Sequence, residues 1–324
     1  MSAPIKSSGS KNRPSDHIKS RPATQELLSP FVFLIGAAAV VAAIFAVYSP
    51  SLNYPFILDD NRFIGDRRVQ LPGQVWGYFT NAAWAQFAGG PVTFYRPLFV
   101  VWVRVNFILN EMSAWGWHFG SVLKHVAVAM LLGLLVWKLL RDRMAVLLAG
   151  ILFALHPAQT ESVAWVSVPD PLMSAAVLGS ILLYLKYDDS RKMGVLNQQS
   201  EAHVKGGSRK AHKTIAIAAK APRPDARPSI GWLAGSAVLY FAALLVKETA
   251  IVALLILLAL ALRRRSALRD MSLFAAVTVV YFALRLHALG GRLVAPAQYW
   301  PWITVVLSWP ATMWFYVKVL LWPV

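Results

Sequence analysis

Two carboxylates stand side by side at Asp59 and Asp60, directly after the apolar Phe56, Ile57 and Leu58. Adjacent carboxylates repel, which can raise one pKa and leave the other group ionised. That suits a general base or a ligand for a divalent cation; a helix N-cap is the plainer alternative. Further along, FALHPAQTESVAWVSVPDPLM (153–173) holds His156, Glu161 and Asp170 in one segment. Pro157 stops one helix and Pro171 sits in the first turn of the next, so the stretch between reads as amphipathic and superficial. WHFGSVLKH places His118 and His125 two turns apart on one helix face, about 10 Å by helical rise. That spacing is poor for a metal. With Lys124 the pair makes a cationic stripe suited to phosphate contact or hydrogen bonding, or else packs against neighbouring helices. VKETA (246–250) sets Lys247 beside Glu248 where one apolar run turns into the next. Arg285, in YFALRLHALGG (281–291), suits an anionic group or snorkels to an interface.

These groups must be positioned by membrane helices. The chain has 324 residues, of which 57% are hydrophobic and 15% charged, with a mean hydropathy of +0.52. A soluble fold cannot hide that much apolar surface. Pro30 to Tyr48 is a continuous apolar run, long enough to span a bilayer and read as a retained first helix. Further runs lie at about 118–140, 144–156, 171–187, 230–246, 249–262, 271–288 and 303–322. The expected fold is all-α: a polytopic membrane protein with about eight transmembrane helices, plus interfacial helices on the outer side. Residues 96–112 are read as one of those interfacial helices, within a first outer loop over 50–117. Residues 1–29 read as a disordered basic tail, 30–324 as the membrane domain, and 188–229 as a disordered basic loop within it. No cysteine is present, which excludes disulfides and Cys-ligated metals.

The net charge of +17 would suggest nucleic acid in a soluble protein. Its distribution gives another explanation. With the N-terminus in the cytoplasm, 22 of the 32 Lys and Arg residues fall in cytoplasmic segments, as the positive-inside rule requires. Nucleic acid is then not expected as a partner. Seven of the 15 acids fall on the outer side: Asp59, Asp60, Asp66, Glu111, Glu161, Asp170 and Glu248. So do His118, His125, His156, Arg96, Lys247 and Arg285. Ionisable groups gathered at one membrane face point to a functional cavity there.

The motifs FILDD (56–60), YRPL (95–98), WHFGSVLKH (117–125), FALHPAQTESVAWVSVPD (153–170), VKET (246–249) and YFALRLHALGG (281–291) stand in this order. In them the chain resembles the membrane portion of the transmembrane and tetratricopeptide-repeat O-mannosyltransferases and their bacterial relatives, within the GT-C superfamily. It departs at Ser121, where the family often has Asn, and at Val168, where Arg is usual. Relatives continue beyond Pro323 into further membrane helices and repeats, so the chain is read as ending before them.

The resemblance implies a membrane glycosyltransferase. It would move a sugar, mannose by the family's name, from a polyprenyl-phosphate donor to a Ser or Thr hydroxyl of an acceptor protein on the non-cytoplasmic face. Asp59 and Asp60 are the implied catalytic base and its partner. Arg96, His156, Lys247 and Arg285, then His118 and His125, are the candidates for holding donor phosphate. Glu161, Asp170 and Glu248 would orient those bases or sugar hydroxyls. A divalent cation, Mg or Mn, is either held by Asp59 and Asp60 or absent, depending on the branch. The expected location is a bacterial inner membrane, N-terminus inside, with the site facing the periplasm. A lipid or anion transporter and a non-catalytic scaffold are the competing functions.

Overall fold

The computed structural model describes residues 28–82, 94–206, 230–264, 268–291 and 301–322, apart from the side chains of 195–206, 264 and 268. Nearly all of the expected basic tail, and 207–229 of the expected loop, lie outside the described residues. Every regular element among the described residues is a helix.

Helix α1 (Pro30–Tyr48) starts with proline in its first turn, and Ser29 Oγ accepts from the Val32 amide at 3.3 Å. Four short helices follow around the first outer loop: α2 (Asp60–Ile64), α3 (Arg67–Gln70), α4 (Val75–Thr80) and then α5 (Pro97–Asn110). Helix α6 (Ala114–Leu140) has 27 residues and so is about 40 Å long, roughly 10 Å more than a hydrocarbon core needs. One end must stand clear of the bilayer. Helix α5 lies antiparallel along that first part of α6. A Cβ on Gly116 would fall 2.1 Å from Asn110 Oδ1, and one on Gly120 would fall 3.3 Å from Asn106 Oδ1. Glycine is what lets these two helices touch.

Helix α7 (Arg143–Leu155) is capped by Asp142, whose carboxylate accepts from the Met144 and Ala145 amides at 2.8 and 3.2 Å. It ends before Pro157, and the chain bends by 56° into α8 (Thr160–Ala164). Helix α9 (Asp170–Gly206) opens with Pro171 in its first turn, as the sequence requires. It does not stop near Tyr187. The polar residues expected to form a loop from 188 remain helical to Gly206, because they are paired along and across the helix. Asp188 binds Lys192 one turn on at 2.9 Å, and Arg191 reaches Asp270 at 3.5 Å. Such i,i+4 pairs support a helix that apolar packing alone would not extend.

Helices α10 (Ile230–Val246), α11 (Val252–Arg264), α12 (Met271–Ala288) and α13 (Trp302–Leu321) complete the bundle. Helix α10 packs on α9 and α12. Among the described residues, four helices are long and apolar enough to cross a membrane: α1 with the turn after it, α6, α12 and α13. The bent α7–α8 pair makes a fifth. The all-α membrane fold stands, with four or five helices of crossing length where eight were expected; α10 and α11 have only 17 and 13 residues.

One buried cluster joins the elements that matter for chemistry. Ile64, Phe99, Val103, Trp117, Val166 and Val246 pack together. They fix the end of α2, the face of α5, the first turns of α6, the 165–168 segment and the end of α10 against one another.

Candidate functional site

The paired carboxylates diverge. Asp60 is 0% exposed, whereas the Asp59 side chain is 48% exposed. Asp60 Oδ2 accepts from the Ile57 amide at 3.1 Å, and the Asp60 amide donates to Ile57 O at 2.9 Å. Asp60 Oδ1 accepts from the Ser167 amide at 3.0 Å. The residue inside this turn, Leu58, has φ +48°. A non-glycine residue there is strained by about 1 kcal/mol or more, and the bonds around it hold it in place. Asp59 faces outward, with Arg62 Nη1 at 4.0 Å. It stands at the N-cap position of α2, but its side chain makes no capping bond. One carboxylate thus bolts the first loop to the 165–168 segment, and the other remains reachable.

Around Asp60 the interior is polar. Its carboxylate acts electrostatically on His118 and Lys124. His118 is fully buried, with the Tyr54 ring edge-on at 6.4 Å. The carbonyls of Tyr54 and Pro55 approach the imidazole without reaching normal hydrogen-bond geometry. Among the described residues, His118 Nδ1 and Nε2, Ser121 Oγ, Trp165 Nε1 and Ser167 Oγ are buried with no hydrogen-bond partner. Buried polar groups are usually paired, so these atoms stand out as unsatisfied polar groups in the interior. Lys124 is half-buried, its ammonium 5.4 Å from the Trp102 ring centre. The sequence places it only in a stripe between two histidines; its approach to Asp60 depends on α5 and α6 lying antiparallel.

The remaining charges resolve into two adjoining nodes. Lys247 Nζ binds both oxygens of Asp170 at 2.7 Å. Arg96 forms a fork on Glu248 at 3.0 and 2.8 Å, and Arg285 Nη1 approaches the same carboxylate at 3.8 Å. Arg285 also donates to the Tyr281 hydroxyl at 3.3 Å. Burial pushes the Glu248 carboxyl up, but the Arg96 bond and charge, with Arg285 adding, outweigh it and hold it below its ordinary value. The Tyr95 ring lies 6.0 Å from Tyr281. Burial, with Tyr281 adding, pushes the Tyr95 phenol up to about 12, so it stays a donor to Phe79 O at 3.0 Å. The two nodes together set Arg96, Lys247 and Arg285 against Asp170 and Glu248.

Three expected residues fall elsewhere. His125 Nε2 meets Ala154 O at 3.0 Å, with the ring set between Tyr48 and Phe153, so it knits α6 to α7. It also borders a cavity of about 200 Å³ lined by Gln159, Ser162, Asp170 and Ser174. His156 Nδ1 accepts from the Ala158 amide at 3.1 Å, which leaves Nε2–H to donate to Leu320 O at 2.8 Å. Its ring is committed to the 156–158 turn and α13. Glu161 is exposed in the first turn of α8. Among the described residues no three His, Asp or Glu side chains converge to hold a metal ion, and both Asp60 oxygens already accept backbone N–H groups.

Comparison with curated proteins gives homologues over about half the chain. It is 34% identical over 175 residues to protein O-mannosyl-transferase Tmtc1 of Drosophila melanogaster, covering 51% of this chain and 19% of that protein. It is 34% identical over 150 residues to protein O-mannosyl-transferase TMTC2 of Homo sapiens, covering 45% and 18%. It is 31% identical over 155 residues to protein O-mannosyl-transferase TMTC3 of Mus musculus, covering 45% and 16%. These match the family that the motifs resemble, and the chain spans under a fifth of each relative's length. No family model matches the chain, and no solved structure matches it.

Proposed function

We propose that a chain so related is a membrane glycosyltransferase unit, moving a sugar from a polyprenyl-phosphate donor to a protein Ser or Thr hydroxyl. The relatives' names support protein O-mannosyl transfer. The observation that carries the reading is the split pair: Asp59 reachable, and Asp60 buried and bolted to Ser167 beside an interior of unsatisfied polar groups.

A general base must come within hydrogen-bond reach of the proton it takes. Asp59 meets that condition without any rearrangement; Asp60 does not. The Asp59 carboxylate accepts the proton of the acceptor hydroxyl as its oxygen attacks the anomeric carbon. The bond from that carbon to the carrier phosphate breaks, and its electron pair leaves on the phosphate. A single displacement of this kind inverts the anomeric centre. Lys124 and Arg285 are the cations assigned here to meet the developing charge, and such preorganised charge is a large catalytic contribution. Asp60 positions the loop. Arg96, Lys247, Asp170 and Glu248 hold the walls.

The test is transfer of radiolabelled mannose from mannosyl polyprenyl phosphate to a Ser/Thr-rich acceptor in proteoliposomes. Transfer by the unaltered chain and its loss in Asp59→Asn are expected. Full transfer by Asp59→Asn would overturn the assignment of the base, and full transfer by both single Asn variants would sink the site.

A further inference from the structure

A cavity of about 200 Å³ lies where α6, the end of α7, the 157–164 turn and the start of α9 meet. Phe153, Val128 and Pro171 are its apolar lining, and the Phe153 ring stacks on His125 at 5.2 Å. Gln159, Ser162 and Ser174 are its polar lining, and all three are half-buried. Among the described residues, their side chains have no hydrogen-bond partner in the protein. His125 donates from Nε2 to Ala154 O at 3.0 Å, which leaves Nδ1 as an acceptor. Asp170 also lines the cavity, but Lys247 Nζ binds both of its oxygens at 2.7 Å and balances its charge.

We propose that this cavity binds one hexopyranose ring, with the sugar hydroxyls on Gln159, Ser162 and Ser174. The choice of a sugar rests on the transfer reading; the size, polarity and charge of the cavity stand apart from it. Its volume equals the liquid share of about six or seven waters, and it falls below the roughly 300–1,000 Å³ of sites for drug-sized molecules. It admits one ring and not two. A pyranose is apolar on its C–H faces and carries hydroxyls round its edge. It matches a lining that is partly apolar and otherwise made of neutral donors and acceptors. With Asp170 balanced by Lys247, no net charge selects an anion or an amine. Ser162 and Asp170 stand on either side of the 165–168 segment, whose Ser167 amide binds the Asp60 carboxylate. An occupant is thus joined to the carboxylate pair by one short stretch of chain. The same lining serves the ring of the donor or that of a sugar-bearing acceptor.

Ligand-observed NMR of the full chain in lipid nanodiscs, with methyl α-mannopyranoside or mannitol as probe, tests this without donor or transfer. The mannoside should take up saturation from the unaltered protein. Mannitol, which has the hydroxyls without the ring, should take up little. Ser174→Phe, which fills the cavity, should abolish the mannoside signal. Gln159→Ala combined with Ser162→Ala keeps the space and removes polar groups; it should weaken binding about tenfold, as loss of one or two neutral hydrogen bonds would. Circular dichroism checks each fold, and the alanine pair carries the test where Ser174→Phe does not fold. In the transfer assay, inhibition by the mannoside that is competitive with donor assigns the ring to the donor, and competition with acceptor assigns it to the acceptor. Equal signals from the two probes, or a mannoside signal unchanged in the folded variants, would overturn the site. Mannoside binding that the variants abolish, in a chain that transfers nothing, would support the cavity and count against the transfer reading alone.

Discussion

Asp59 and Asp60 differ by one position in sequence and by their whole environment in space. Asp60→Asn keeps an acceptor oxygen but turns an amide toward one of the two backbone N–H groups it serves, the Ile57 or the Ser167 amide. Leaving a buried donor unpaired costs about 1–3 kcal/mol. Asp60→Asn should therefore lose transfer and lower the unfolding temperature, while Asp59→Asn loses transfer with stability unchanged within about 0.5 kcal/mol. Thermal unfolding alongside the transfer assay separates the two roles. An equal stability loss in both variants would contradict them. The Glu248 node gives a pH test. Its carboxyl is held below the ordinary value of 4.5 by Arg96 and Arg285. The node contributes stability fully above that ordinary value and loses it as pH falls through the lowered folded value. Glu248→Gln should unfold at lower temperature than the unaltered chain near neutrality, and the gap should close on acidification. A gap that widens in acid would refute the sign. These partnerships were not legible in sequence: Arg96 and Glu248 stand 152 residues apart, and nothing local to either names the other. What was legible was that both belong to the chemistry-bearing set. The commitment of His156 to Leu320 was illegible for the same reason, since its partner is a backbone carbonyl of α13, 164 residues away.

Helices α9 and α10 meet where two serines exchange bonds inside an apolar interface. Ser180 Oγ donates to Ser236 O at 2.8 Å, and Ser236 Oγ donates to Ser180 O at the same distance. Both are fully buried. The glycines beside them let the backbones approach: a Cβ on Gly179 would fall 2.9 Å from Leu239, and one on Gly235 would fall 3.1 Å from Leu183. Small residues with a hydroxyl pair are how apolar helices associate where lipid competes for packing, and each such bond contributes about 0.6 kcal/mol, at most about 1.7. Ser180→Ala combined with Ser236→Ala should destabilise the bundle by about 1 kcal/mol. Each single variant should cost about half of that, because each hydroxyl donates to a backbone carbonyl that the other substitution leaves in place. Denaturant titration in micelles through a double-mutant cycle checks this, and a single variant that costs as much as the double would contradict it. At this scale the apolar runs and the Pro157 and Pro171 boundaries were readable from periodicity and proline chemistry. The continuation of α9 past Tyr187 was not. Composition marks Asp188, Asp189, Arg191 and Lys192 as polar, but only the fold shows Asp188 buried and Arg191 within reach of Asp270.

Across the whole molecule, the two ends of α6 carry different chemistry. One end holds His118, Lys124 and the buried Asp60, and the other holds Trp137, Arg141 and the start of α7 at Arg143. The positive-inside rule supports the proposed orientation, with the Arg141 end, Lys138 and Arg143 in the cytoplasm and the Asp59 end on the opposite side. That orientation fits a length argument: α6 overshoots a bilayer by roughly two turns, and α5 with its glycine contacts occupies the overshoot beside the polar interior. On that proposal the exposed Asp59 carboxylate lies outside the hydrocarbon, where an acceptor protein would have access. Because the chain has no cysteine, single cysteines report side without background. Arg141→Cys and Glu161→Cys both replace side chains exposed at their respective ends. In sealed cells a membrane-impermeant maleimide should label Glu161→Cys and leave Arg141→Cys unlabelled until the membrane is opened. The reverse pattern would place Asp59 in the cytoplasm, where the proposed outward transfer could not occur.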